Sequence, residues 1–115
     1  MIHLYLDDLR PCPHGFTLAQ TVEECTLMLQ DCEVNILSLD HDLGWGTQQT
    51  GMDVVIWMIE HEIYPRTVYL HTSSSSACSL MYEMLLAVKP EKMKLYPHRL
   101  PDDLLRQIAK GTFAE

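Results

Sequence analysis

Basic residues are scarce. The chain of 115 residues carries eight Lys and Arg against sixteen Asp and Glu, a net charge of −8. Such a balance disfavours sequence-independent binding to long nucleic acids, which needs a basic face. It leaves room for a small phosphate ligand wherever a cation or a few basic groups screen the local charge. Long apolar runs are missing too: no stretch approaches the ~20 residues of a membrane helix, so no membrane partner is expected. The opening MIHLYLDDLR turns acidic at Asp7 and lacks a basic n-region, which predicts no signal peptide. The four cysteines, Cys12, Cys25, Cys32 and Cys78, form no C-x-x-C pair. Cys25 and Cys32 fit the core side of a helix, and reduced thiols in a cytoplasmic protein are the expectation. Repeats, linkers and low-complexity tracts are absent, apart from four serines at 73–76.

What is present suits one compact domain over residues 1–115, with 47% apolar residues to fill a core. Nothing in the composition sets an oligomeric state. IHLYL (2–6) reads as a strand running into Asp7 and Asp8. Prolines and a glycine make the next stretch a loop, and FTLAQ (16–20) is a weak second strand. Thr21 and Glu24 form a T-x-x-E cap, behind which Val22, Cys25, Leu29 and Cys32 recur at helical spacing. VNILSLD (34–40) is a third strand. Met52, Val55, Ile56, Ile59 and Ile63 predict an amphipathic helix. TVYLH (67–71) is the fourth strand, a helix begins within the serine run and continues through Leu86, and KMKLY (92–96) is the fifth strand. Pro101, Asp102 and Asp103 suit a last helix, with Gly111 at its end. Apolar strands alternating with helices argue for an open parallel α/β sheet covered on both faces.

In such sheets ligands bind beyond the carboxyl ends of the strands. That edge gathers Asp7 and Asp8 from the first strand, Asp40, His41 and Asp42 from the third, and His71 and Thr72 from the fourth. One such aspartate alone suits a helix cap or a surface loop. Asp7, Asp8 and Asp40 together suit a hard cation, Mg²⁺ or Mn²⁺, which prefers oxygen ligands and keeps waters that a phosphate can replace. His41 and His71 are candidate proton shuttles, with Asp42 beside the first. A hydrogen-bonding structural role is the alternative for each histidine. Arg10 can clamp a phosphate or pair with the neighbouring carboxylates. Thr72 and Ser73 head a serine run that is either a solvated loop or an anion cradle at a helix start. Trp57 suits packing, whereas Trp45, in the site loop, suits stacking on a base.

The strand-ending aspartates at 7, 8 and 40, Thr72 and the closing PDDLL helix resemble the receiver domain of response regulators. Two departures stand out. The short stretch after Asp8 leaves only a degenerate first helix, and LYPHRLP offers His98 or Arg99 where a receiver has a lysine. With LDDLRPCPHGF, LSLDHDLG and TGMDVVIWM, the chain resembles a narrower family, the cyclic-phosphate processing receiver domains; HTSSSSACSLM departs from that family's fourth-strand motif. The resemblance implies a receiver-like, flavodoxin-like sheet of about five strands. It also implies metal-dependent hydrolysis of a cyclic phosphate or cyclic nucleotide. In that reading Asp7, Asp8 and Asp40 hold the metal, and His41 supplies the leaving-group proton. His71 positions water or phosphate, and Arg10, Thr72 and Ser73 hold phosphate oxygens. Two alternatives are capture of a cyclic nucleotide or ADP-ribose-type ligand without turnover, and a signalling receiver phosphorylated on Asp40.

Overall fold

A computed structural model describes residues 1–44 and 48–113. Five strands, β1 (Ile2–Leu6), β2 (Thr17–Ala19), β3 (Val34–Leu39), β4 (Thr67–Leu70) and β5 (Lys94–Tyr96), form one sheet in the order β2-β1-β3-β4-β5. Every pairing is parallel. Helices α1 (Val22–Asp31), α2 (Gly51–His61), α3 (Ser75–Val88) and α4 (Asp102–Lys110) follow β2, β3, β4 and β5 in turn. This is the receiver-like α/β fold. Among the described residues no helix joins β1 to β2, and a loop does so instead. The winding reverses between β1 and β3, so that is the topological switch point.

Local chemistry starts the helices. The Thr21 hydroxyl accepts the Glu24 N–H at 3.1 Å, while the Glu24 carboxylate accepts the Gln20 N–H at 3.0 Å. Thr50 and Asp53 complete a reciprocal capping box at α2. Two expectations shift. The buried face of α2 is Gly51, Val54, Val55 and Met58, whereas Ile56 is exposed and Ile63 lies beyond the helix end. This helix is apolar almost all round, so periodicity alone leaves its rotation open. Cys32 is exposed at the C-cap of α1 and outside the core.

Side chains alternate across a strand, and that alternation builds two unequal layers. Leu4, Leu6, Leu37, Leu39, Val68 and Leu70 face the buried sides of α1, α2 and α3. Truncating any of these leucines to alanine costs about 2–5 kcal/mol. Among the described helices α4 is the one that covers the opposite face, through Leu104, Leu105 and Ile108 against Ile36 and Tyr69, with Phe16 and Phe113 beside it. On this second face the pairings align Tyr5, Ser38, Tyr69 and Tyr96 in one row. His3 lies one step below Tyr5, its ring packed against Phe16 and Phe113.

Candidate functional site

Beyond the carboxyl ends of β1, β3 and β4 the backbone stays in register. The Asp40 N–H donates to the Leu6 carbonyl at 3.1 Å, and the His71 N–H to the Leu39 carbonyl at 2.9 Å. Asp7, Asp40 and His71 therefore stand side by side, two residues past Tyr5, Ser38 and Tyr69 and on the same α4-facing side. Gly51 helps to hold this geometry. Its N–H donates to the His41 carbonyl at 2.9 Å, and a Cβ there would lie 1.9 Å from the Asp40 carbonyl oxygen. Only glycine lets α2 begin so close to the end of β3.

Asp7 is fully buried and fully bonded. One carboxylate oxygen accepts the N–H groups of Leu9 and Arg10 at 2.9 and 3.0 Å. The other meets Arg10 Nη1 and His71 Nε2, each at 3.0 Å. Arg10 Nη1 also reaches Asp40 Oδ2 at 3.2 Å, so one guanidinium bridges both carboxylates. Asp40 Oδ1 accepts the His41 N–H at 2.8 Å. On the far side of the imidazole, His71 Nδ1 lies 2.6 Å from the Ser38 hydroxyl. The Tyr5 ring stacks flat on His71, centroids 4.5 Å apart.

Burial pushes the Asp7 carboxyl upward, but the N–H groups of Arg10 and Leu9 and the bonds from Arg10 and His71 outweigh it and hold it below its ordinary value. Asp40 goes the other way: burial, then the negative charge of Asp7, raises it against the His41 N–H and Arg10. Burial lowers the His71 pKa despite the bond to Asp7, so the ring favours its neutral form. An ionised Asp7 only accepts, so the partners assign the ring proton to Nε2 and leave Nδ1 to accept from Ser38. One ligand atom from each of Asp7, Asp40 and His71 lies within 4.8 Å of the others, a spacing that suits a metal ion.

A family model, the cyclic-phosphate processing receiver domain, matches residues 2–87. The chain belongs to that family. Comparison with curated proteins finds no match. The matched stretch of this cyclic-phosphate processing receiver domain holds Asp7, Arg10, Ser38, Asp40 and His71, while β5 and α4 lie beyond it.

The receiver domain distributes the other candidates differently. Asp8 points away from the cluster, its carboxylate against Gly44, where a Cβ would lie 2.0 Å from Oδ2. The His41 ring bonds Asp42 at 3.0 Å, and Asp42 is 72% exposed. Thr72 accepts the Ser74 N–H at 3.1 Å in a local turn, and Ser74 caps α3. Thr72 and Ser73 line an open groove along α3, apart from the cavity that Arg10 enters. Trp45 lies outside the described residues. No described helix is long and apolar enough to cross a membrane. Sequence reasoning missed Ser38 and Tyr5, both of which line the Arg10 cavity beside His71. Their signal was available: Ser38 sits two residues before Asp40, and Tyr5 two before Asp7, which puts each on the same strand face.

Proposed function

We propose that this receiver domain opens a small cyclic phosphate or cyclic nucleotide by hydrolysis at the carboxyl edge of its sheet, with Mg²⁺ or Mn²⁺ as cofactor. The observation that carries this reading is the convergence of two buried carboxylates, an imidazole and an arginine at one edge of the sheet, where Arg10 and His71 line a cavity. The donor set fits: carboxylate oxygens suit these cations. Asp40, pushed upward beside Asp7, is the group whose charge a cation would relieve. A cation held by Asp7 and Asp40 would supply positive charge to the phosphate and acidify a water.

The chain's own groups would do the rest. Arg10 enters from a loop with its side chain 41% exposed, so it can exchange a carboxylate oxygen for a phosphate oxygen. Neutral His71 takes a proton at Nδ1 through Ser38 while Asp7 fixes the ring. His41, bonded to Asp42, is the proton donor for the leaving oxygen. Water attacks phosphorus, one ester bond breaks, and a phosphomonoester results. A screen of 2′,3′-cyclic and 3′,5′-cyclic nucleotides with Mg²⁺, Mn²⁺ or a chelator tests this. Ring opening that depends on the cation is expected, and a wild type that opens none overturns the proposal.

One observation favours a second reading. Arg10 already pairs with both carboxylates, which suits capture without turnover. Tight binding that ignores a chelator and yields no product is the outcome that reading expects. A phosphoacceptor role for Asp40 gains no such support.

A further inference from the structure

The α4-facing side of the sheet contains a chamber of about 80 Å³. Its floor is Tyr5, Ser38 and His71. With no helix after β1, one wall comes from the β1–β2 loop, through Arg10 and Pro13. The opposite wall comes from the β5–α4 turn, through Arg99 and Leu100. Only eight of the 115 residues are Lys or Arg, and two of the eight flank this one small space. Arg10 is already committed to Asp7 and Asp40. Among the described residues Arg99 pairs only with Asp102, at 2.6 Å, and both side chains are more than two-thirds exposed. Exposed pairs of this kind are weak, whereas a guanidinium facing a phosphate in a partly dry site forms strong paired bonds.

Building on the proposed function, we infer that Arg99 is a second anion-holding residue, which leaves Asp102 to close the chamber over the cyclic phosphate. The size agrees. At roughly 10–15 Å³ for each water-sized group, the chamber takes about half a dozen such groups. A five-membered cyclic phosphate has seven heavy atoms: phosphorus, four oxygens and two carbons. The ring fits, and a nucleobase must stay outside the mouth. The turn that carries Arg99 is braced for the task. His98 Nδ1 bonds the Arg99 carbonyl at 2.8 Å, and the His98 ring packs on Tyr69 and Tyr96, themselves stacked 4.8 Å apart. The backbone is thus fixed while the guanidinium is free to exchange partners.

The test is calorimetric titration of the full chain with inorganic phosphate, and separately with Mn²⁺, on the wild type, Arg99→Ala, Arg99→Lys and Asp102→Asn. Loss of one charged contact predicts phosphate binding weaker by about tenfold or more in Arg99→Ala. Arg99→Lys should fall between, because the charge stays and the fork is lost. Asp102→Asn should bind phosphate about two- to fivefold tighter, because an exposed competitor is gone. Mn²⁺ affinity should stay within about twofold in all three, and their melting temperatures should match the wild type. Phosphate binding by Arg99→Ala at the wild-type affinity overturns the inference, as does a wild type that binds no phosphate. Asp102→Asn without a gain overturns the exchange of partners. A wild type that holds phosphate through Arg99 yet opens no cyclic phosphate overturns the proposed hydrolysis and leaves the Arg99 site standing.

Discussion

Arg10→Ala removes the only guanidinium that touches both Asp7 and Asp40 among the described residues. Breaking a buried pair costs about 3–5 kcal/mol, and a single hydrogen bond to a charged group about 1.5–3. The Arg10 side chain is 41% exposed, so water compensates part of the loss, and about 2–3 kcal/mol remains. For a domain of this size that lowers Tm by about 8–12 °C. The pH dependence has a definite sign. Arg10 helps to hold Asp7 below its ordinary pKa and opposes the rise at Asp40. Without it both folded-state values move up. A group raised above its unfolded value contributes stability below that unfolded value, and the contribution is lost as pH rises through the folded value. The deficit of the variant should therefore be largest at neutral pH and shrink towards the carboxyl pKa of about 4. Two freed carboxylates should also take up a cation more tightly, and Mn²⁺ at about 100 times its Kd returns about 2.7 kcal/mol. Thermal melts by circular dichroism across this pH range, with and without Mn²⁺, check all three points. A variant that melts with the wild type at neutral pH, or whose deficit grows on acidification, refutes the reasoning.

The two histidines should separate kinetically. His71→Ala and His41→Ala should each reduce turnover by about 10²–10⁴-fold, and His71→Ala should also weaken substrate binding, because His71 lines the cavity and His41 bonds Asp42 outside the cluster. Equal turnover by His41→Ala and wild type, in steady-state kinetics, would remove His41 from the acid role. Among the thiols, burial pushes Cys25 up to about 12 while Cys32 is exposed. A maleimide reagent near neutral pH should label Cys32 quickly and Cys25 only on unfolding, which peptide mass spectrometry resolves. Rapid native labelling of Cys25 would contradict the packing of α1.

Much of the fold was legible because the relevant signals are local. Apolar runs at 2–6, 34–39 and 67–70 mark strands buried on both faces, and Thr21 with Glu24 marks the start of α1. The missing helix after β1 follows from the few residues between Asp8 and Phe16. The rotation of α2 was not legible, since valine, isoleucine, tryptophan and methionine surround it and tertiary contact selects the buried stripe. At the site, Asp7, Asp40 and His71 were found by their strand-end positions. Asp8 was grouped with them by adjacency, although neighbours beyond a strand point to opposite sides; alternation would have separated the two. Ser38 looked like one polar residue in an apolar run, and only its parity with Asp40 betrays its side. Arg99 and Leu100 reach the cavity from the β5–α4 turn; the resemblance offered Arg99 in place of a receiver lysine, but no local pattern placed either residue against Tyr5 and Ser38. Thr72 and Ser73 read as either a solvated loop or an anion cradle; the Thr72 hydroxyl accepts the Ser74 N–H, and their groove opens apart from the Arg10 cavity.

The central claim is that the cluster of Asp7, Asp40 and His71 hydrolyses a cyclic phosphate. Its most direct test is ³¹P NMR of a 2′,3′-cyclic nucleotide incubated in ¹⁸O-labelled water with Mg²⁺ or Mn²⁺, comparing wild type with Asp40→Asn. The cyclic resonance should give way to a phosphomonoester carrying one solvent oxygen. Asp40→Asn should slow that conversion by about 10²-fold or more, because one anionic group is lost from a small cluster. Conversion at the wild-type rate by Asp40→Asn, or a bound cyclic nucleotide that stays closed in the wild type, would contradict the claim.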